Sequence, residues 1–271
     1  MAPIRSETLL SIGRWIDNGW AFVSVDYSSM SYGFTYSDIL SDVKTAFQFT
    51  RANAPILGIQ NSSFIFVGEQ AGGSLAAITA FSLQNRAIRG VVNLYGPLDP
   101  VHHWLKMRDT APEAIAQWKK LLSGSYQGKK RAWQNASTTY WTSMASSTDY
   151  LPPLLSFQGE EDIRVLPEIT EYVHRKLSSK GVENLLILLP YHGTELIDGY
   201  YSLGHQLFRY VTERFTIAQE FPHPTPAPTP VPTSIPTMTL VPSKAPTDAP
   251  SHPPTASPTY SLQPTLSPTT P

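Results

Sequence analysis

The stretch Val67-Gly68-Glu69-Gln70-Ala71-Gly72-Gly73-Ser74 decides the fold. It follows the apolar run Ser63-Phe64-Ile65-Phe66 and leads into Leu75-Ala76-Ala77-Ile78-Thr79-Ala80. An apolar run of strand length, a glycine-rich turn and an Ala/Leu-rich run read as strand, tight turn and helix. Gln70 sits at the centre of that turn.

On either side the same alternation continues. Upstream, Leu9, Leu10, Ile12, Trp15 and Ile16 recur at helical spacing between Glu7 and Asn18, and Gly19 stops the pattern. Trp20-Ala21-Phe22-Val23-Ser24-Val25-Asp26-Tyr27 has the length and composition of a strand, and a helix is expected from Tyr36 to Ala52. Strand Phe64–Val67, helix Ala71–Leu83 and strand Gly90–Tyr95 follow. From about 97 to 150 the rhythm breaks into an aromatic-rich segment holding Trp104, Trp118, Tyr126, Trp133, Tyr140, Trp141 and Tyr150. It resumes with strand Pro153–Phe157, helix Pro167–Lys180, strand Asn184–Leu189 and a last helix near Leu203–Phe215. Apolar strands alternating with amphipathic helices predict a mostly parallel sheet with helices on both faces. The segment 97–150 is then an insertion over the carboxyl ends of the strands, where binding loops gather. Its aromatic residues either line a pocket or pack as core.

Composition divides the chain. Residues 222–271 hold 16 of the 25 prolines but one lysine and one aspartate, whereas 1–221 hold every tryptophan. Such a tail buries too little apolar surface to offset chain entropy and reads as disordered and extended. Its Pro-Thr and Pro-Ser units suit either a glycosylated stalk in a cell-surface or cell-wall context or a plain extension. The remaining residues are of single-domain size.

Net charge is −1 and no run of Lys or Arg could track a phosphate backbone, so nucleic acid is not an expected partner. The absence of cysteine removes disulfide and thiolate chemistry. Met1-Ala2-Pro3-Ile4-Arg5-Ser6-Glu7 has no signal-type apolar region, and no run approaches the ~20 apolar residues of a membrane span. Asn61-Ser62-Ser63 and Asn135-Ala136-Ser137 are possible N-glycan acceptors.

Gly19–Tyr27, the Gly68-x-x-x-Gly72-Gly73 turn, Leu151-Pro152-Pro153-Leu154-Leu155-Ser156-Phe157-Gln158-Gly159 and Leu189-Pro190-Tyr191 together resemble the α/β-hydrolase fold. Within it they are similar to the esterase and lipase group related to hormone-sensitive lipase. That resemblance implies carboxylic-ester chemistry on a small acyl or ester ligand, with no cofactor or metal. It also implies that position 70 is the nucleophile slot of a Gly-x-Ser-x-Gly elbow, whose glycines are expected to avoid Cβ clashes. Glutamine cannot fill that role, because its amide nitrogen is delocalised and no general base makes it a useful nucleophile.

The resemblance further places the acid at Asp162, within Gly159-Glu160-Glu161-Asp162-Ile163-Arg164-Val165; a loop aspartate capping the next helix is the alternative. The histidine slot falls on Thr194 counted from Pro190, or on Glu195 counted back from Asp198. His192 lies early on the same loop and is a base only if the loop takes another path. Ala71 would give one oxyanion N–H, while the His-Gly-Gly-Gly loop that supplies the others in relatives has no counterpart between Met1 and the elbow. The expectation is a catalytically degenerate member whose first strands, oxyanion loop and any leader would precede Met1. The alternatives are an active esterase using Ser74 with His192, and a structural surface protein. An upstream leader would make the protein extracellular, and its absence cytoplasmic.

Overall fold

The computed structural model of the protein describes residues 16, 19–109, 112–191 and 193, without the side chain of Ala114. The expected helices Glu7–Asn18, apart from Ile16, and Leu203–Phe215 lie outside the described residues, as do His192, Thr194, Glu195 and the tail 222–271.

The sheet among the described residues has four parallel strands in the order β1-β2-β3-β4: Phe64–Glu69, Ile88–Leu94, Leu154–Gly159 and Asn184–Leu189. Parallel neighbours need a crossover between them. Helix α3 (Ala71–Leu83) connects β1 to β2, and α8 (Pro167–Ser179) connects β3 to β4. The fold is that of the α/β-hydrolases, with helices packed on a parallel sheet.

Upstream of the sheet are α1 (Tyr36–Ala52) and the short α2 (Ala54–Leu57). Helix α1 begins at a capping box: Thr35 Oγ1 accepts from the Asp38 N–H while the Asp38 carboxylate accepts from the Thr35 N–H at 2.9 Å. Helix α3 is buried from Gly73 to Phe81, as its small and apolar residues on every side require. It packs Ala76, Ala77, Ala80 and Phe81 with Phe47, Val91, Leu154, Val173 and Leu177 in one core cluster.

The interval between β2 and β3 contains α4 (Pro100–Met107), α5 (Pro112–Leu121), α6 (Lys130–Asn135) and α7 (Thr138–Met144). Trp104, Trp118 and Trp133 form a second cluster with Tyr36, Ile39, Leu40, Leu75 and Ile78. Trp133 is fully buried, and its ring meets Tyr126 at 5.9 Å and Trp118 at 6.5 Å. These tryptophans pack as the core of the insertion.

One expected strand does not form among the described residues: Trp20–Tyr27 joins no described sheet, and Phe22 is 51 % and Val23 49 % exposed. A strand exists by virtue of its ladder, and no strand among the described residues lies beside this segment. The outer edge of β1 likewise has no described neighbour.

A buried histidine makes the fold acid-sensitive. His174 donates from Nδ1 to Asn184 Oδ1 at 2.9 Å while its Nε2 is buried without a partner. Burial, opposed by the Asn184 bond, lowers its pKa to about 4. The folded value lies below the unfolded one of ~6.5, so stability is full above that pH and is lost as pH falls toward the folded value. Between pH 7 and 5 this one group is expected to cost about 2 kcal/mol. Urea unfolding of wild type and His174→Gln at the two pH values measures it, and an identical pH dependence in both would refute it.

Candidate active site

The elbow is built where β1 ends. Gln70 has φ 52 and ψ −120, between strand residue Glu69 and helix residue Ala71. A non-glycine residue there is strained, by about 1–3 kcal/mol, and such strain collects at functional positions. Its N–H donates to the Leu94 carbonyl at 3.0 Å, and its carbonyl accepts from the Ser74 N–H at 3.2 Å. The turn is therefore tied to β2 and to the first turn of α3, leaving the Gln70 side chain exposed.

The glycines do not share one reason. A Cβ on Gly68 would lie 2.1 Å from the Gly72 carbonyl oxygen and 2.5 Å from the Gly73 nitrogen, and one on Gly73 would lie 2.2 Å from Asn93 Oδ1. A Cβ on Gly72 would meet nothing described within 4 Å. The expectation that steric crowding demands glycine at 72 thus finds no crowding atom among the described residues. Sequence reasoning missed Gly96, where a Cβ would lie 2.4 Å from the Gln70 carbonyl oxygen. It also missed Asn93, fully buried beneath the turn, which accepts from the Gly96 N–H at 3.0 Å and donates to the Gly96 carbonyl at 3.1 Å. A lone amide inside the apolar run Val91-Val92-Asn93-Leu94 was the available signal.

Ala71 opens α3, where first-turn N–H groups have no acceptor within the helix. Ser74 is 4 % exposed, its Oγ buried beside the Tyr36 hydroxyl. The two hydroxyls interact, but neither gains a satisfying hydrogen bond. Burial raises the Tyr36 phenol well above its ordinary pKa, with the Ser74 hydroxyl opposing that rise. A nucleophile must reach its substrate, so Ser74 is badly placed for one.

Asp162 lies on the loop after β3 and is 2 % exposed. Its Oδ1 accepts from the N–H groups of Arg164 at 2.8 Å and Val165 at 2.9 Å, and its Oδ2 from Gln158 Nε2 at 3.0 Å. It organises its own loop; the α8 N-cap is Leu166, not Asp162. Gln158 is fully buried, donates also to the Val165 carbonyl and accepts from Thr170 Oγ1 at 3.1 Å. Glu69, Leu94 and Phe157 stand in register across three strands, so the elbow and the Asp162 loop leave the same edge of the sheet. They are separated by β2, two strand spacings or roughly 10 Å.

The histidine-slot loop begins at Pro190 and Tyr191, the latter 89 % exposed with φ 61. A Cβ on Gly193 would be 3.7 Å from the Glu161 carbonyl oxygen, so this loop returns to the Asp162 loop. Of the described histidines, His103 accepts from Trp118 Nε1 at 2.9 Å, and burial lowers its pKa to about 4. It belongs to the insertion core. Asn61 is exposed, whereas Asn135 Oδ1 is buried and Ser137, two residues on, is buried too. No described helix is long and apolar enough to cross a membrane.

The family model described as BD-FAE, an α/β-hydrolase-type esterase family, matches residues 6–177, more than half of the chain. The chain belongs to the BD-FAE family. The match spans the elbow and Asp162 and stops within α8, ahead of the histidine-slot loop. Assignment to this BD-FAE esterase group does not single out the hormone-sensitive-lipase branch. Among solved structures, the BD-FAE chain is similar to a truncated carbohydrate esterase from gut microbiota, with TM-score 0.61 and 20 % identity over 76 % of this chain and 78 % of that one. It is similar to a butyrate-bound esterase, Est2, from Thermogutta terrifontis, with TM-score 0.55 and 18 % identity over 69 % and 70 %. An acetyl ester-xyloside bifunctional hydrolase from Caldicellulosiruptor lactoaceticus gives TM-score 0.52 and 18 % identity over 71 % and 67 %. At these identities the likeness is one of fold. The comparison with curated proteins finds no match.

Proposed function

We propose that this BD-FAE chain does not hydrolyse esters through an acyl-enzyme, and instead holds a small acyl or ester ligand at the elbow without cleaving it. The observation that carries this reading is Gln70 at φ 52, ψ −120: the strained backbone of a nucleophile position bearing an amide. An amide can donate and accept hydrogen bonds to a bound carbonyl, but it cannot attack one. Thr194 or Glu195 in the histidine slot supports the same reading, since neither side chain serves as an imidazole base. Asp162 is the acid of the ancestral set, and the Ala71 N–H is one oxyanion donor. The bound butyrate of the Thermogutta esterase makes short-chain carboxylates and their esters the first ligands to test. We take 1–221 as the α/β-hydrolase-like domain and 222–271 as a Pro/Thr/Ser-rich tail.

The test is covalent labelling. Wild-type chain incubated with a fluorophosphonate probe is expected to remain unlabelled, and p-nitrophenyl acetate to hydrolyse at the buffer rate. Stoichiometric labelling at any serine would overturn the proposal.

A further inference from the structure

The insertion between β2 and β3 carries a charge imbalance that packing over the sheet does not require. Between Glu113 and Asp149 the sequence has no carboxylate, yet it has five cations: Lys119, Lys120, Lys129, Lys130 and Arg131. The whole chain holds 20 Lys and Arg against 21 Asp and Glu, so without these five it holds 15 against 21, a net −6.

The fold gathers the five at one corner. Lys119 and Lys120 lie in the last turn of α5, and Lys129, Lys130 and Arg131 lead into α6. Three points of the chain meet at Gly124, in the turn between the two helices. Its N–H donates to the Lys119 carbonyl at 2.8 Å and its carbonyl accepts from Trp133 Nε1 at 3.0 Å. The Lys129 stem lies against it, with Cγ 2.8 Å from where a Cβ would stand. Trp118 of α5 and Trp133 of α6 share the buried cluster beneath, so the corner stands on a packed core. All five cations are exposed, and none takes part in the ion pairs of the described residues. Arg131 is held by Tyr140, over whose ring its guanidinium lies at 5.2 Å and to whose hydroxyl it donates.

This arrangement works against the fold. Like charges repel, and cations at the start of α6 oppose the helix dipole. Local rules broken without a packing gain point to function. Three kinds of anionic partner come into question. A folded acidic protein calls for exposed apolar or aromatic anchors, and none of the exposed large apolar residues falls between Leu105 and Met144. Single-stranded nucleic acid calls for free aromatic platforms, but Trp104, Trp118 and Trp133 are buried and Tyr126 packs against Trp104 and Trp133. A lipid surface calls for neither. Its charge is diffuse and its headgroups move, which suits the flexible point charges of four lysines better than a fixed fork. We infer that the α5–α6 corner docks the domain on an anionic lipid surface.

Co-sedimentation of the full chain with vesicles tests this. Vesicles of phosphatidylcholine with phosphatidylserine are expected to retain the chain at about 0.1 M salt and release it at about 1 M, where the Debye length falls to about 3 Å. Vesicles of phosphatidylcholine alone should not retain it. Lys129→Gln combined with Lys130→Gln is expected to weaken retention about 30-fold, since each cation near the surface is worth about fivefold. Arg51→Gln combined with Arg86→Gln removes the same charge elsewhere and should cost much less. Circular dichroism confirms that both double variants fold. Equal retention on the two kinds of vesicle, retention unmoved by salt or by the lysine pair, or an equal loss in the arginine pair overturns the inference. So does tighter binding of oligouridylate or of polyglutamate than of the phosphatidylserine vesicles.

Discussion

A chain carrying Gln70→Ser together with either Thr194→His or Glu195→His is expected to gain ester hydrolysis of about 10³-fold over wild type. The nucleophile position needs no rebuilding. Position 70 is already held at φ 52, ψ −120 by its bonds to Leu94 and Ser74, and the Gly68 and Gly96 contacts leave that backbone little alternative. Asp162, the proposed acid, is also held fast, by the N–H groups of Arg164 and Val165 and by the amide of the fully buried Gln158. On the proposed reading, what is lacking is a hydroxyl to act as nucleophile and a base to take its proton. Gln70→Ser alone supplies the first without the second, and either histidine substitution alone does the reverse, so each single variant should stay near background. Fluorophosphonate labelling of the double variants, with circular dichroism to confirm folding, reads the outcome. If both double variants fold and remain unlabelled, the elbow backbone is not poised to present a nucleophile.

How much of the fold and site was legible in the sequence depends on whether the signal was local. Helices α1 and α3 and strand β4 were expected with their observed limits, because apolar spacing and flanking breakers are properties of a few adjacent residues. β1 runs on through Gly68 and Glu69, beyond the apolar run that marks it, because pairing with Asn93 and Leu94 continues the ladder. Trp20–Tyr27 has the composition of a strand but joins no sheet among the described residues, because composition alone does not specify a ladder. The four helices of the insertion showed only as a break in rhythm. In the site, Gly68, Gln70 and Asp162 were visible through motif spacing. Asn93, Gly96 and Gln158 were not, because a polar or small residue in a strand is ordinary until the fold buries it against the turn it supports.

The two outer glycines of the elbow should respond in opposite directions to the same substitution. In Gly68→Ala the new methyl carbon would sit 2.1 Å from the Gly72 carbonyl oxygen, 2.2 Å from the Gly72 carbonyl carbon and 2.5 Å from the Gly73 nitrogen. All three are backbone atoms in the first turn of α3, so no side chain can swing aside, and relief requires shifting the buried helix relative to β1. Overpacking of a core typically costs about 1–3 kcal/mol through side-chain adjustment. A clash met only by backbone exceeds that, and about 4 kcal/mol is expected, a loss of roughly 8–16 °C in Tm for a domain of this size. Gly72→Ala places its methyl where nothing described lies within 4 Å, at the second residue of a helix. There alanine is favoured over glycine by up to ~1 kcal/mol of helix propensity, so this variant should be neutral or slightly more stable than wild type. Urea and thermal unfolding of both variants test the contrast. Equal destabilisation would mean that the close approach of β1 to the first turn of α3 at Gly68 is not what holds the turn. If the contrast appears, the motif's two outer glycines have different causes: one is required by the fold of this chain, and the other is retained without a steric need.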